Sequence, residues 1–494
     1  MVWFLLAILC KRCTKGSLDG SIFWIGSSGY WYKARFILGK EFITNSKYVK
    51  MRHATSRHKT TMNKISRLLQ LSVLLSTLSA QLNYAGEINL SVMTRTSDQS
   101  QINLPFRLLS LNLGYTIGSL DIKTVPTIEY RYDSSKSTYD LWEAYLAYYP
   151  EWGEIKFGKQ IHAWGLVDGN NPTDNINPYD YYYLFKQGTG QKIGTFSFSA
   201  KLYFRDYQLE AIIIPKHEAN RIPSGEKDYP LGLPLEQTID YPVVDEIEVG
   251  MRLQKTIGEI DFGVSMFNGH DRTPSVSTIS FMEMKNGIIP KIPKLGYRAT
   301  SVLGLDFVAF IGDLTIRGEG AFFKTKSSKL DLTTLPIPGN LFEIDQEISY
   351  SQFVIQTEYT TVSDIMILGQ LISSSVNDEQ YSIRHLLTGQ IEPFFNAEFR
   401  PGMGTPFAMF SDLALIVGSS GILMDDRLEL KGNAMMNLDG KGVMISVSTG
   451  YSPWMNWKFE LGLIQFKGDK ENLGNVFTKM EDFSHIRLGL FYNF

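Results

Sequence analysis

The chain has 494 residues, is rich in aromatic side chains (8 Trp, 25 Tyr, 30 Phe) and carries a formal net charge of -3. A helical bundle in lipid is excluded, because such spans need runs of about 18 or more apolar residues and only the stretch near 68–82 approaches one. Cys10 and Cys13 are the two cysteines, so disulfide frameworks, thiolate metal centres and cysteine nucleophiles are excluded from the main body.

Charge divides the chain unevenly. Residues 1–61 hold eleven Lys/Arg against Asp19 and Glu41, and Lys64 and Arg67 extend the basic head, which leaves residues 86–494 acidic, at -14. An acidic body argues against nucleic acid as a partner, since phosphate binding needs a basic face.

From Met62 the chain reads MNKISRLLQLSVLLSTLSAQLNYAGE. Basic residues, an apolar stretch from Leu68 to about Leu78 and then small residues follow in the order of a secretory signal peptide. Residues 62–85 are therefore expected to be a signal peptide, with cleavage after Ala80 or Ala85. Residues 1–61 are expected to be an upstream extension from a misassigned start.

After residue 85 the dominant period is two. Thr195–Phe204 sets Phe196, Phe198, Ala200, Leu202 and Phe204 on one face, and Glu246–Lys255 sets Ile247, Val249, Met251 and Leu253 on one face, the alternation of half-buried strands. The pattern predicts strands at 87–93, 104–115, 122–132, 139–149, 153–160, 195–204, 208–214, 246–255 and 259–267. It continues at 300–311, 314–323, 349–359, 363–372, 407–418, 427–437, 443–452, 457–466 and 484–494. Short turns alternate with long connections such as 161–194, 215–245 and 268–299. About eighteen strands of this kind, with sixteen as the alternative, predict an all-β fold: a transmembrane antiparallel up-and-down β-barrel over 86–494. A soluble barrel of that size would enclose more space than side chains fill.

With the apolar rows toward lipid, the pore lining is expected to include Lys201, Glu248, Arg252, Glu259, Asp261, Arg317, Glu319, Arg427, Glu429, Lys458 and Glu460. In Ser484–Phe494, residues Ile486, Leu488, Leu490, Tyr492 and Phe494 share one face and the sequence stops on Phe494. This ending resembles the last strand of Gram-negative outer-membrane proteins, and the resemblance implies that Tyr492 and Phe494 form a signal for the barrel-assembly machinery.

Phe157–Asp180 reads FGKQIHAWGLVDGNNPTDNINPYD. Through Gly158, Lys159, Gln160, Trp164, Gly165, Asp168, Asp174, Asn177, Pro178 and Asp180 it resembles the signature of a family of large porin-like barrels that includes alginate-export-type proteins, which implies a porin-like barrel and leaves the cargo open. Connection 161–194 is expected to fold into the lumen as a constriction, with His162, Trp164, Asp168, Asp174, Asn177 and Asp180 on it and the three aspartates favouring cations.

Asp168, Asn170, Asp174 and Asp180 offer oxygen donors, but their spacing misses the EF-hand pattern and suits turns. Catalytic motifs are missing: His217–Arg221 reads HEANR, Gly418–Gly421 reads GSSG, and Gly188–Gly194 lacks the context of a phosphate loop. No enzyme activity, cofactor or metal is expected. The sequence predicts a passive outer-membrane channel for small hydrophilic solutes, with both termini periplasmic and outer-membrane lipid, the assembly machinery and small solutes as its partners. The alternatives are a specific oligosaccharide or organic-acid channel, an outer-membrane lipid hydrolase, and a non-conducting structural or adhesion barrel.

Overall fold

A computed structural model describes 21–25, 31–35 and 82–494, apart from 135, 187, 224, 230–242, 244–245, 285–286, 291–293, 328–340, 386–387, 394–398 and 473–474. The chain divides into two units, Met1–Ala80 and Gln81–Phe494. In the first, Ser21–Ile25 pairs antiparallel with Trp31–Arg35. Most of the expected signal peptide lies outside the described residues.

The second unit is a closed barrel of eighteen antiparallel strands. These are β1 (Leu82–Arg95), β2 (Phe106–Ile117), β3 (Leu120–Arg131), β4 (Lys136–Tyr148), β5 (Gly153–Gln160) and β6 (Thr195–Phe204). Next come β7 (Tyr207–Ile214), β8 (Glu248–Ile257), β9 (Ile260–His270), β10 (Ala299–Ile311), β11 (Leu314–Lys326) and β12 (Leu341–Thr360). The last are β13 (Ile365–His385), β14 (Leu413–Leu423), β15 (Leu428–Asn437), β16 (Gly442–Trp454), β17 (Trp457–Gly468) and β18 (His485–Asn493). Each pairs with the next, and β18 closes on β1 in the register His485↔Arg95 to Asn493↔Glu87. Beyond the last strand, Phe494 exchanges two backbone hydrogen bonds with Gly86. A Cβ on Gly86 would lie 2.3 Å from the Phe494 ring, so the missing side chain makes room for that seam.

All eighteen expected strands are present, with three shifts. β1 begins at Leu82, and Leu82 to Ala85 already pair with Tyr115 to Asn112 of β2. The fourteenth strand was expected at 407–418 but begins at Leu413, because Pro406–Met409 forms a short 3-10 turn started by its proline. β12 and β13 run to twenty and twenty-one residues, well past the expected 349–359 and 363–372. The far end of β13 carries exposed Asp378, Glu379 and Gln380, a section with little amphipathic alternation to read.

The alternation fixes two faces. Outward side chains such as Phe196, Phe198, Leu202, Val249, Met251, Leu253, Leu303, Leu305 and Phe322 are exposed. Their inward neighbours Ser197, Ser199, Arg252, Asp306 and Glu319 are buried. Among the described residues no helix is long and apolar enough to cross a membrane. Tight turns join the strands at one rim. Gly312–Asp313 links Ile311 to its partner Leu314, with Gly312 at φ +60°, a conformation glycine adopts without a Cβ clash. Trp152, Trp454 and Trp457 are exposed beside these turns. Pro126, which cannot donate to a ladder, coincides with a bulge in the β3–β4 pairing: Val125 faces Glu143 and Pro126 faces Leu141. The skipped residue, Trp142, donates its indole N–H to the Lys192 carbonyl at 2.9 Å.

Candidate functional site

Segment 161–194, which joins β5 to β6, runs across inward-facing side chains of β7 to β13. Trp164 donates from Nε1 to the Glu210 carboxylate of β7 at 3.0 Å. Its ring covers Gly250 of β8, where a Cβ would lie 2.8 Å from Trp164 and 2.6 Å from Ile176. Glycine is therefore required there by the close approach of the loop. Gly165, at φ +86°, turns the chain against Glu319 of β11. That carboxylate accepts from the Leu166 N–H, the Val167 N–H at 2.8 Å, the Thr173 hydroxyl at 2.7 Å and the Asn171 amide at 3.1 Å.

Three glutamines continue the cradle. The Asp168 N–H donates to Gln356 Oε1 at 2.9 Å, and Gln356 Nε2 donates back to the Asp168 carboxylate at 2.8 Å. Gln370 of β13 donates to the Asp168 carbonyl at 3.1 Å and accepts from Asn170 Nδ2 at 2.9 Å. Gln352 accepts from the Thr405 N–H at 2.8 Å, tying a second long connection to the wall. At the base of the loop, Asn177 accepts from the His162 N–H at 2.6 Å and donates to the Gln160 and Ile193 carbonyls at 3.0 and 2.9 Å. One side chain thus holds both ends of the loop together. His162 Nε2 meets the Ser197 hydroxyl at 3.0 Å. Buried polar groups cost free energy unless bonded, so this set of matched partners specifies where the loop lies.

The charges are mostly paired. Asp174 forms an ion pair with Lys192, both side chains about 5% exposed or less. Asp180 pairs with Arg221 at 3.1 Å and accepts from the Tyr182 N–H at 3.2 Å; burial pushes its carboxyl up, against the pull of Arg221. Asp168 keeps a side chain 62% exposed. Of the three aspartates expected to favour cations, two are therefore neutralised and buried. Lys186 faces the same interior as Asp168, and burial, helped by the nearby Arg107 guanidinium, pushes its ammonium down to about 8. Arg107 lies between the Trp142 and Tyr183 rings, at 4.2 and 4.4 Å from their centroids.

The residues expected to line a pore fall into three groups. Glu248, Arg252 and Glu319 lie on the inner face but are buried. Arg252 is paired with Asp306 at 2.7 Å, and Glu319 is covered by the loop, so they do not present a wet wall. Glu259 and Arg427 sit in exposed turns, because β9 and β15 begin one residue later, at Ile260 and Leu428. Lys201, Asp261, Arg317, Glu429, Lys458 and Glu460 are inward and half-buried. Lys458 pairs with Glu429 at 2.7 Å, Arg487 pairs with Glu460, and Arg317 pairs with Glu358 at 3.0 Å while donating to the Leu166 carbonyl at 2.7 Å. A cavity of about 520 Å³ remains between the loop and β13 to β16, lined by Asp168, Lys186, Gln370, Ile416, Lys431 and Asn433 among others.

The fold is a closed antiparallel β-barrel. Similar solved structures include OccK2 (OpdF) of Pseudomonas aeruginosa, also solved with glucuronate, at TM-score 0.47 and 9% identity over 84% of this chain and 98% of that one. OccAB3 of Acinetobacter baumannii is similar at TM-score 0.47 and 8% identity over 84% and 99%. A loop L8 deletion mutant of OmpT, an outer membrane protein of Vibrio cholerae, gives 0.35 and 10% over 84% and 99%. No protein-family model and no curated protein matches the sequence. At this level of similarity the barrel assignment rests on the strand pairing itself.

Sequence reasoning missed Gln352, Gln356, Gln370 and Glu210, which hold the inserted segments. The signal available was their period-two placement on the inward face, where polar residues without charge also need partners. It missed as well the grouping of His217, Glu248 and His270, which come from three separate stretches of chain.

Proposed function

We propose that this protein is an outer-membrane channel for passive diffusion of small hydrophilic solutes, with segment 161–194 as its constriction. The observation that carries the reading is the asymmetry of the interior. The loop occupies the wall of β6 to β13 and leaves the charged inner face of the remaining strands half-exposed beside a cavity of about 520 Å³. A barrel of this strand number is wide enough for an aqueous path, and an inserted loop gives it a defined width. The exposed apolar exterior suits lipid. The apolar last residue, Phe494, sits at the closing seam, where a factor assembling the barrel would meet it, and the motif in 157–180 fits a place among alginate-export-type porins. Short turns on the periplasmic side would place both termini there.

The alternative of a non-conducting barrel is favoured by one feature: Phe410, Phe477 and Phe483 are buried in an apolar cluster with Leu184 and Phe466. Single-channel recording with a panel of neutral, acidic and basic solutes separates the two. Ohmic current with size-dependent solute block supports the channel, and a silent bilayer with correctly folded protein supports the closed barrel. Because β1 starts at Leu82, processing after Ala80 preserves the strand whereas processing after Ala85 would shorten it. N-terminal sequencing of membrane-extracted protein is expected to begin at Gln81.

A further inference from the structure

Where the long connection after β7 meets the barrel wall, three potential metal ligands converge. Glu248 opens β8, His270 ends β9, and His217 lies three residues beyond Ile214, the end of β7. One donor atom from each lies within 4.8 Å of the other two. Glu248 Oε1 is 2.8 Å from His217 Nδ1 and 3.7 Å from His270 Nδ1. The Glu248 side chain is fully buried and the two rings are 6% and 11% exposed.

An ordinary ion-pair explanation covers part of this arrangement. Arg272 Nη2 lies 2.7 Å from Glu248 Oε2, which balances the carboxylate. It leaves His270 Nδ1 and His217 Nε2 buried with no hydrogen-bond partner. Buried ring nitrogens are expected to be satisfied, and one way to satisfy His270 Nδ1 is an ion shared with Glu248 Oε1 and His217 Nδ1. Tetrahedral zinc with bonds of about 2.0–2.2 Å separates its ligand atoms by about 3–3.7 Å, close to the spacing seen. Arg272 Nη2 would then act on the carboxylate oxygen that does not face the rings, the kind of outer contact that orients a metal ligand, while Nη1, 3.4 Å from His217 Nδ1, would keep its bond to the Glu218 carbonyl at 3.0 Å.

We propose that His217, Glu248 and His270 bind one divalent first-row transition-metal ion of the zinc class, pinning the connection after β7 to the barrel wall. Two imidazoles and a carboxylate suit such ions and are poor for calcium or magnesium, which take oxygen donors. The Arg272 guanidinium repels a second cation, so the affinity expected is on the order of micromolar and not tighter.

The test uses the full chain, without a histidine tag, folded in detergent and titrated with zinc chloride by calorimetry. His217→Gln and His270→Gln are each expected to lose one equivalent of binding or weaken it by about tenfold or more. His485→Gln, at a buried histidine of β18 outside the cluster, keeps that equivalent. Each variant is first shown to be folded by its heat-modifiable migration. Binding that persists unchanged in both glutamine variants, as Cys10, Cys13, His53 or His58 would produce, overturns the proposal. So does the absence of zinc binding at millimolar concentration. Should a variant fail to fold, Cu²⁺ resonance spectra of the unsubstituted chain decide: coupling to two nitrogens supports the site, and coupling to none or one overturns it.

Discussion

The two sides of the barrel wall solve the same problem differently. On β6 to β11 the inner-face acids and bases beneath the loop are sealed: the side chains of Glu210, Glu248, Arg252 and Asp306 are 5% exposed or less, and only Lys201, Asp261 and Arg317, near the tight turns, stay half-buried. On β15 to β18, with β3 and β4, the corresponding side chains of Lys123, Glu143, Glu429, Lys458, Glu460 and Arg487 are 14–39% exposed. The difference follows from size. The sealed wall places Gly250, Gly263, Gly304, Ser197, Ser199 and Ser265 on its inner face, and at Gly250 and Gly304 an added Cβ would meet the inserted loop within 3.0 Å. Small inward residues mark where the loop packs closely on the wall, and long charged ones mark where water remains.

The most forceful way to break the contrast is to remove its cause. Deleting 168–183 with the flanking strands intact should expose the sealed wall and raise single-channel conductance about twofold or more, since the open lumen of so many strands is wide. Unchanged conductance in a folded deletion would rule out the constriction role.

Cysteine labelling sharpens it next. Cysteine at Lys458 or Glu429 should react with water-soluble thiol reagents, cysteine at Arg252 or Glu319 should stay protected until the deletion is made, and cysteine at Val249 or Phe322 should respond only to lipid-phase probes. Equal reactivity at 252 and 458 would mean that the loop does not seal its wall.

Stability should follow the same division. Glu319→Ala leaves the Val167 N–H and the Thr173 hydroxyl without their acceptor and is expected to destabilise the barrel by about 1–3 kcal/mol. Glu460→Ala, which breaks a half-exposed pair with Arg487, should cost about 0–1 kcal/mol. Urea unfolding from lipid vesicles measures both, and equal effects would contradict the division.

The smallest effect concerns charge on the loop. Because Lys186 is held down to about 8, it is protonated below that pH and loses its positive charge as pH rises through it. Reversal potentials should therefore shift toward cations between pH 6.5 and 9.5, and Lys186→Met should show the more cation-preferring value at both. An identical pH shift in Lys186→Met would assign the titration to another group.

The sequence by itself determined the fold class, the strand number and the faces. A strand with lipid on one side must alternate, and that alternation is readable in Thr195–Phe204 without any knowledge of its partners. It fell short at strand ends: in the extensions of β12 and β13, in the turns holding Glu259 and Arg427, and at Pro406–Met409. The loop motif was legible as a unit, because Trp164, Gly165 and Asn177 are close in sequence.

What only the tertiary structure decided was the state of each charge. Asp174 is neutralised by Lys192, Asp180 by Arg221, and Glu319 is caught by backbone N–H groups about 150 residues earlier in the chain. Ion pairing and burial depend on distance in space, and a closed barrel brings together residues whose separation along the chain carries no trace of it. For the same reason three scattered residues, His217, Glu248 and His270, became a candidate metal site only once β8 and β9 were paired and the connection after β7 was laid against them.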